Sequence, residues 1–330
     1  MQVKSLRILI TGSAGYLGRQ LVPQCINRDY EVIGVDLKSS GFEHANYRES
    51  LCDITNENDI RTIVTSTQPD VVVHCAAALA QFVRNQKRLH DINVNGTKYV
   101  ISAAFDAQVQ QLIFLSSVEV YGVKVPIPCA ETAPIHPDVQ YGRDKAECEY
   151  FCKEYVEKGM NITIFRPPTI AGPGQNEPTL LGQVKGAYLG KKTILPGGGK
   201  TRLQMVNVFD VCEAILLAIG NESARGEVMN LGSDNVPTFR EMLTALYEHA
   251  QKEPRFTNLN PGVARIMVKL LHKLHLSDVQ PQHLEIALRD YVFDNSRAKE
   301  ILGWAPTKTD IESAIDTYDW YVNEVLPAGG

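Results

Sequence analysis

The sequence predicts an α/β fold, a doubly wound parallel sheet carrying a smaller, mainly helical lobe, and three observations support this. The apolar, branched run Leu6–Ile10 leads straight into a glycine-rich turn. Strand-like and helix-like segments then alternate through residues 1–170. Beyond Pro168 the composition changes, with loops marked by Gly172, Pro173, Gly174, Pro178 and the run Pro196–Gly199. A chain of 330 residues, 44% hydrophobic, has ample material for a large core.

Taken in order, Leu6–Ile10 suits a strand covered on both faces. Gly12, Gly15 and Gly18 then let the backbone turn sharply, approach a pyrophosphate and pack helix on strand. The helix from Tyr16 to Arg28 opens with unpaired N–H groups at Tyr16 and Leu17, a site for an anion. The spacing is GxxGxxG, an approximation of the dinucleotide fingerprint GxGxxG, so the turn alone is a weak signal. The next strand, YEVIGVD, ends in Asp36, about twenty residues on, where a carboxylate accepts hydrogen bonds from the ribose hydroxyls of NAD and repels the extra phosphate of NADP. NAD is therefore the expected cofactor, and nearby Lys38 leaves NADP use open.

A strand at Tyr47–Leu51, a helix from Asn56 to Ser66, a strand at Val71–Ala77, a helix from Asn93 to Ala107 and a strand at Gln111–Ser117 follow. A helix from Asp144 to Lys158 and a strand at Asn161–Arg166 complete the first unit, a Rossmann-type domain over residues 1–170. Segments 206–233 and 293–304 are expected to return to it, leaving 171–205 and 234–330 as the substrate-binding lobe. Within that lobe Val263, Ile266, Met267, Leu270, Leu271 and Leu274 recur at helical spacing opposite Arg265, Lys269, His272 and Lys273. The expectation is a lid helix lying on the protein's own core, with a membrane contact as the alternative.

The net charge of −5 comes without charge blocks, which argues against a nucleic-acid surface and for a small ligand. Seven scattered cysteines without a CxxC pair give neither a disulfide framework nor a metal site, and read as small buried apolar residues. The first strand begins almost at once after Met1 and no apolar run reaches membrane-spanning length, so a cytoplasmic protein is expected.

Tyr141-Gly-Arg-Asp-Lys145 is the most informative pentapeptide. On a helix the two outer residues share a face, bringing a phenol near an ammonium. A tyrosine of ordinary pKa is a poor acid/base at neutral pH, but the lysine cation and a positively charged nicotinamide favour the phenolate, making Tyr141 a proton relay. Leu115-Ser116-Ser117 ends a strand whose C-terminal edge should face the same crevice. Ser117 is assigned to hold the substrate oxygen, and Ser116 to a backbone-bonding turn.

Together these motifs resemble the extended short-chain dehydrogenase/reductase family in its NAD-dependent epimerase/dehydratase branch. The resemblance runs in order through TGSAGYLG, Asp36, Cys52-Asp53-Ile54, HCAAA at 74–78, NVNGT at 93–97, LSSVEVYG at 115–122, YGRDK, RPPTIAGPG at 166–174, VFDV at 208–211, NLGS at 230–233 and FDNSRAKEILGW at 293–304. It implies that Asp53 and Ile54 flank the adenine, that the Ala76-Ala77 turn passes the cofactor phosphates, that Lys145 binds the nicotinamide ribose and that Pro167 packs near the nicotinamide. It further implies that Ser117, Tyr141 and Lys145 catalyse, and that the protein works as a homodimer.

Two departures bear on the substrate. Dehydratases of the family follow the catalytic Ser/Thr with Asp and Glu, and here those positions hold Val118 and Glu119, which argues against dehydration and leaves Glu119 as a candidate substrate contact. Nucleotide-sugar members carry diphosphate-clamping arginines at two positions; here Arg202 is displaced by one residue, Leu203 standing in the expected place, and Arg289 lies closer to Asp294 than expected. Both remain candidate substrate residues, since a bidentate arginine is hard to replace at a phosphate. Three functions are compatible: a sugar-nucleotide epimerase or keto-sugar reductase, a dehydrogenase of a less polar alcohol similar to the 3β-hydroxysteroid branch, and a non-catalytic cofactor-sensing regulator.

Overall fold

The computed structural model describes residues 5–328 apart from 80, 81, 84 and 275–280. The first unit runs β1 (Arg7–Thr11), α1 (Tyr16–Ile26), β2 (Glu31–Asp36), β3 (Tyr47–Leu51), α2 (Glu57–Thr67), β4 (Val71–His74), α3 (Gln86–His90), a π-helical turn into α4 (Thr97–Asp106), β5 (Gln111–Leu115), α5 (Gln140–Glu157) and β6 (Ile162–Arg166). Then follow β7 (Thr169–Ala171), α6 (Pro178–Tyr188), β8 (Thr193–Pro196), β9 (Met205–Asn207), α7 (Val208–Ala218), β10 (Val228–Asn230), α8 (Phe239–His249), β11 (Phe256–Leu259), α9 (Pro261–Lys273), α10 (Pro281–Ala287), α11 (Ser296–Leu302) and α12 (Asp310–Trp320).

Seven strands form one parallel sheet in the order β10-β6-β5-β4-β1-β2-β3. Helices cover both faces, so successive side chains of a strand enter different cores. Ile8, Ile10, Val71, Val73, Ile113 and Leu115 join the side chains of α1 and α7, whereas Leu9, Val72, Leu112 and Phe114 join those of α2, α4 and α5. Such apolar runs are what parallel strands require, which is why they were legible. A third core, from Leu180 and Val184 of α6, Leu243 and Tyr247 of α8 and Ala314 and Tyr318 of α12, holds the lobe together.

Several boundaries differ from expectation. β4 and β5 stop at His74 and Leu115 because the chain leaves the ladder there to build turns at the C-terminal edge. α5 starts at Gln140, four residues before Asp144, so the YGRDK segment is helical throughout, its first turn bridged by the Gln140 Nε2 to Asp144 Oδ1 bond of 2.7 Å. β9 does not return to the main sheet: it pairs with β7, beyond the point where Pro167-Pro168 carries the chain off β6, while β10 takes the place beside β6. Six cysteines are buried, Cys75 is partly so, and all are free.

The stripe on α9 also turns out differently. Ala264, Val268 and Leu271 face inward, whereas Val263, Ile266, Met267, Leu270 and Leu274 are exposed, Ile266 to 71%. The helix is amphipathic, but its inward face lies beside the expected one. The side chain of Lys273 lies outside the described set. Among the described residues no helix is long and apolar enough to cross a membrane.

Asp310 ties the lobe to the sheet edge. One carboxylate oxygen accepts from Met205 N at 3.1 Å and from the Ser233 hydroxyl, and the other is buried without a partner among the described residues. Burial raises its pKa from 3.8 to about 6, ahead of the opposing hydrogen bonds. The folded state therefore holds this proton more tightly than the unfolded chain, and the stability it contributes is present below pH 3.8 and lost as pH rises through about 6. The span is worth about 3 kcal/mol. Asp310→Asn is expected to flatten the decline in unfolding free energy across that window, measured by urea titration at a series of pH values; an unchanged decline contradicts the assignment.

Candidate active site

The crevice lies at the C-terminal ends of β1 and β4, where the strand order reverses, the usual ligand position in open α/β sheets. Gly12 has φ +73°, and a Cβ there would fall 2.8 Å from Ala76 N, so the loops after β1 and β4 meet backbone to backbone. At Gly18 a Cβ would come within 2.2 Å of Gly12 O, and at Gly15 within 3.1 Å. Glycine at these positions seats α1 directly on the turn. The Gly15 N-cap offers no side-chain acceptor and the first turn carries no acid, which leaves the donors around Tyr16 and Leu17 to an anion. Their side chains do other work: Leu17 belongs to the core, and the buried Tyr16 hydroxyl has no partner among the described residues. A dinucleotide pyrophosphate fits this cradle.

Asp36 ends β2 beside it, its carboxylate accepting from Ala14 N at 3.0 Å and Lys38 N at 3.3 Å. The Lys38 side chain points to solvent. Asp53 lies farther along the sheet edge and already has partners: Thr55 N at 2.9 Å, the Thr55 hydroxyl at 2.7 Å and Arg88. Burial opposes its ionisation, but these bonds prevail and hold the carboxyl below its ordinary value. Ile54 is 6% exposed and packs against Gly96, so its side chain is mainly core. Ala76 N donates to Thr11 Oγ1 at 3.3 Å, and the exposed Ala77 follows. Behind them the buried His74 bridges Thr11 Oγ1 at 2.6 Å and Thr97 Oγ1 at 2.9 Å, and burial, aided by the Lys145 cation, lowers its pKa to about 3. A neutral imidazole thus pins the turn.

Tyr141 and Lys145 stand one helical turn apart at the start of α5. Lys145 is 3% exposed, and its ammonium donates to Leu115 O at 2.6 Å and lies 4.7 Å from the Phe114 ring centroid and 5.7 Å from that of Tyr141. It has no carboxylate partner among the described residues, and burial lowers its pKa. With one donor used, two remain for groups entering the crevice. Tyr141 differs from expectation: in the protein alone its pKa is raised, first by burial and then by Glu119. Burial and the neighbouring carboxylate set this balance, and a cation in the crevice would reverse it.

Ser117 caps the short turn Val118–Tyr121, its hydroxyl oxygen accepting from Glu119 N at 3.2 Å. Ser116, assigned to a turn, instead donates to Glu149. The turn packs on α5, where a Cβ at Gly142 would lie 2.5 Å from Glu119 O. Glu119 therefore sits beside Tyr141, and burial raises its pKa from 4.5 to about 7. Pro167, buried, receives Val118 N on its carbonyl at 3.2 Å.

Two parts of the site were given no role by the sequence. Arg166, 4% exposed, holds Glu149 through Nε at 2.8 Å and Nη2 at 2.5 Å, and reaches the Tyr121 hydroxyl at 2.7 Å, which donates to Asn230 at 2.8 Å. This network braces the Ser116–Tyr121 turn against α5, β6 and β10. Tyr291, distant in sequence, donates its hydroxyl to Val118 O at 3.2 Å and lies near enough to Glu119 for that carboxylate to raise its pKa after burial. Arg202 donates through Nε at 2.9 Å and Nη2 at 2.6 Å to one oxygen of Asp290, Arg289 is exposed next to it, and Leu203 packs in the apolar cluster with Val118 and Tyr291.

A family model described as the NAD dependent epimerase/dehydratase family matches residues 8–232. The UDP-glucose 4-epimerase of Mycolicibacterium smegmatis is 26% identical, the alignment covering 97% of this chain and 99% of that protein. The N-acetyl-alpha-D-glucosaminyl-diphospho-ditrans,octacis-undecaprenol 4-epimerase of Escherichia coli O157:H7 is 31% identical over 68% of this chain and 66% of its own length. The solved UDP-glucose 4-epimerase of Thermotoga maritima with UDP-glucose superposes with a TM-score of 0.80 at 26% identity, over 97% of this chain and 100% of that one. With the glycine cradle and the helical YGRDK segment lying inside the matched span, the chain belongs to the NAD-dependent epimerase/dehydratase family of extended short-chain dehydrogenases/reductases and is an enzyme whose cofactor is NAD.

Proposed function

We propose that this enzyme oxidises a secondary alcohol of a diphosphate-activated hexose and returns the hydride, as an epimerase does, with Tyr141, Lys145 and Ser117 handling the proton. The observation that carries this reading is the buried Lys145 ammonium, facing Tyr141 with donors to spare. Bound NAD supplies the hydride acceptor and a positive charge. The Tyr141 phenolate would take the proton from the substrate alcohol as its carbon is oxidised and become the phenol, Lys145 would hold the nicotinamide ribose and favour the phenolate, and Ser117 would donate to the substrate oxygen. The cradle at Gly12, Gly15 and Gly18, with the N–H groups of Tyr16 and Leu17, would hold the pyrophosphate, Asp36 the ribose, Asp53 the adenine edge beside the Ile54 backbone, Ala76-Ala77 the phosphates, and Pro167 the nicotinamide.

The substrate class rests on the relatives: one is named for a nucleotide-linked sugar and one for a polyprenol-linked sugar, and a hexose on a diphosphate is common to both. Dehydration is disfavoured because Val118, 2% exposed, puts an apolar side chain where an acid would be needed. Arg289 and Arg202 remain the phosphate-binding candidates, Arg202 only by leaving Asp290. A thermal-shift screen with NAD present tests the class. Nucleotide sugars should stabilise the enzyme and sterol-like alcohols should not; the opposite ranking removes the sugar reading.

Two further outcomes test the assignments. Asp36→Ala is expected to weaken NAD about tenfold and NADP little, read by binding titration; an unchanged preference between the two rejects the ribose contact. Glu119 loses its proton as pH rises through about 7, and its charge then opposes the Tyr141 phenolate. Glu119→Gln should therefore move the Tyr141-dependent limb of the kcat profile to lower pH. A limb that stays in place shows the two groups to be uncoupled.

A further inference from the structure

α9 has three faces. Ala264, Val268 and Leu271 turn toward the protein. Val263, Ile266, Met267, Leu270 and Leu274 form a second apolar strip that is exposed among the described residues, and Ile266 is the most exposed large hydrophobic side chain of that set. Arg265, Lys269 and His272 form a third face, and no acidic residue occurs from Pro261 to Leu274. Glu285 of α10 pairs with Arg265 at 2.6 and 3.0 Å. Lys269 lies near enough to help lower the Glu285 pKa, after Arg265, yet makes no hydrogen bond or ion pair among the described residues. A chain of net charge −5 thus places unneutralised positive charge beside an open apolar strip on one helix.

We propose that α9 is a docking helix for an anionic phospholipid surface. A helix with an open apolar strip flanked by cations lies in the plane of a bilayer, its apolar side chains among the acyl chains and its lysines reaching the headgroups. A symmetric contact with a second copy would bring the basic faces of two α9 helices together, and their repulsion would oppose the pairing. An acidic bilayer satisfies both faces at once. With no helix able to span among the described residues, the attachment is peripheral. It also sits close in sequence to the site: α10 leads into Arg289 and Asp290 and then Tyr291, whose hydroxyl meets Val118 O.

This inference goes beyond the proposed function and does not depend on it, because vesicle binding is read without turnover. The test is co-sedimentation of the full chain with vesicles of phosphatidylcholine alone and of a two-to-one mixture of phosphatidylcholine and phosphatidylglycerol. The protein is expected to pellet with the mixed vesicles, to remain largely soluble with the neutral ones, and to be released by salt. Ile266→Asp with Leu270→Asp should lower the partition coefficient about tenfold or more, with thermal unfolding and NAD affinity unchanged. Wild-type protein that ignores both vesicle types overturns the proposal, as does a double variant that binds like wild type. A double variant that lowers the mass of the free protein in solution, without vesicle binding by the wild type, overturns it in favour of a protein–protein interface.

Discussion

Tyr141→Phe is expected to lower kcat about a thousandfold or more, while NAD binds with nearly wild-type affinity. The substitution removes one oxygen and leaves the ring, which lies over the Lys145 ammonium. Neither the glycine cradle nor Asp36 loses a contact, and the Tyr141 hydroxyl has no hydrogen-bond partner among the described residues whose loss could disturb the fold. The effect should therefore fall on kcat alone, measured by steady-state turnover and by NAD titration of the same preparation. Retained turnover would place the proton relay elsewhere, with Glu119 the next group to test because its pKa of about 7 suits acid/base work at neutral pH.

Glu149→Leu is expected to be the most destabilising single change near the site. Arg166 and Glu149 are each almost wholly buried, and removing one partner leaves an uncompensated charge at a cost of about 3–5 kcal/mol. The Ser116 hydroxyl loses its acceptor in the same step. Adding Arg166→Met should recover much of that loss, since two apolar side chains no longer strand a charge. Urea unfolding of the two variants checks both statements. A single variant within about 1 kcal/mol of wild type would show that the pair is dispensable.

What was legible in the sequence was whatever physics imposes locally. Val71–Val73 must be apolar because both faces of β4 are covered, and Gly12 and Gly18 must lack a Cβ because backbone atoms occupy its place. Tyr141 and Lys145 fall on one face because α5 is helical through both. What escaped depends on partners brought together by the fold. Glu149 and Arg166 lie on a helix and a strand, with nothing in either segment to announce the pair. Tyr291 reaches the site from far along the chain. The role of Ser116 followed Glu149 and so was misassigned. On α9 the periodicity identified an amphipathic helix, but periodicity cannot say which of two adjacent apolar strips faces inward, and the structure turns Ala264, Val268 and Leu271 to the core.

In the proposed reaction the hydride leaves and returns on a diphosphate-activated hexose, with Tyr141 as the proton relay. The most direct measurement is incubation of the NAD-loaded enzyme with a panel of nucleotide sugars and a polyprenyl-diphosphate sugar, following reduced nicotinamide by absorbance and the sugar by NMR. One member should convert to its epimer with no net change in cofactor, and Tyr141→Phe should abolish that conversion. A panel left wholly unchanged, while a non-polar secondary alcohol reduces added NAD mole for mole, would contradict it.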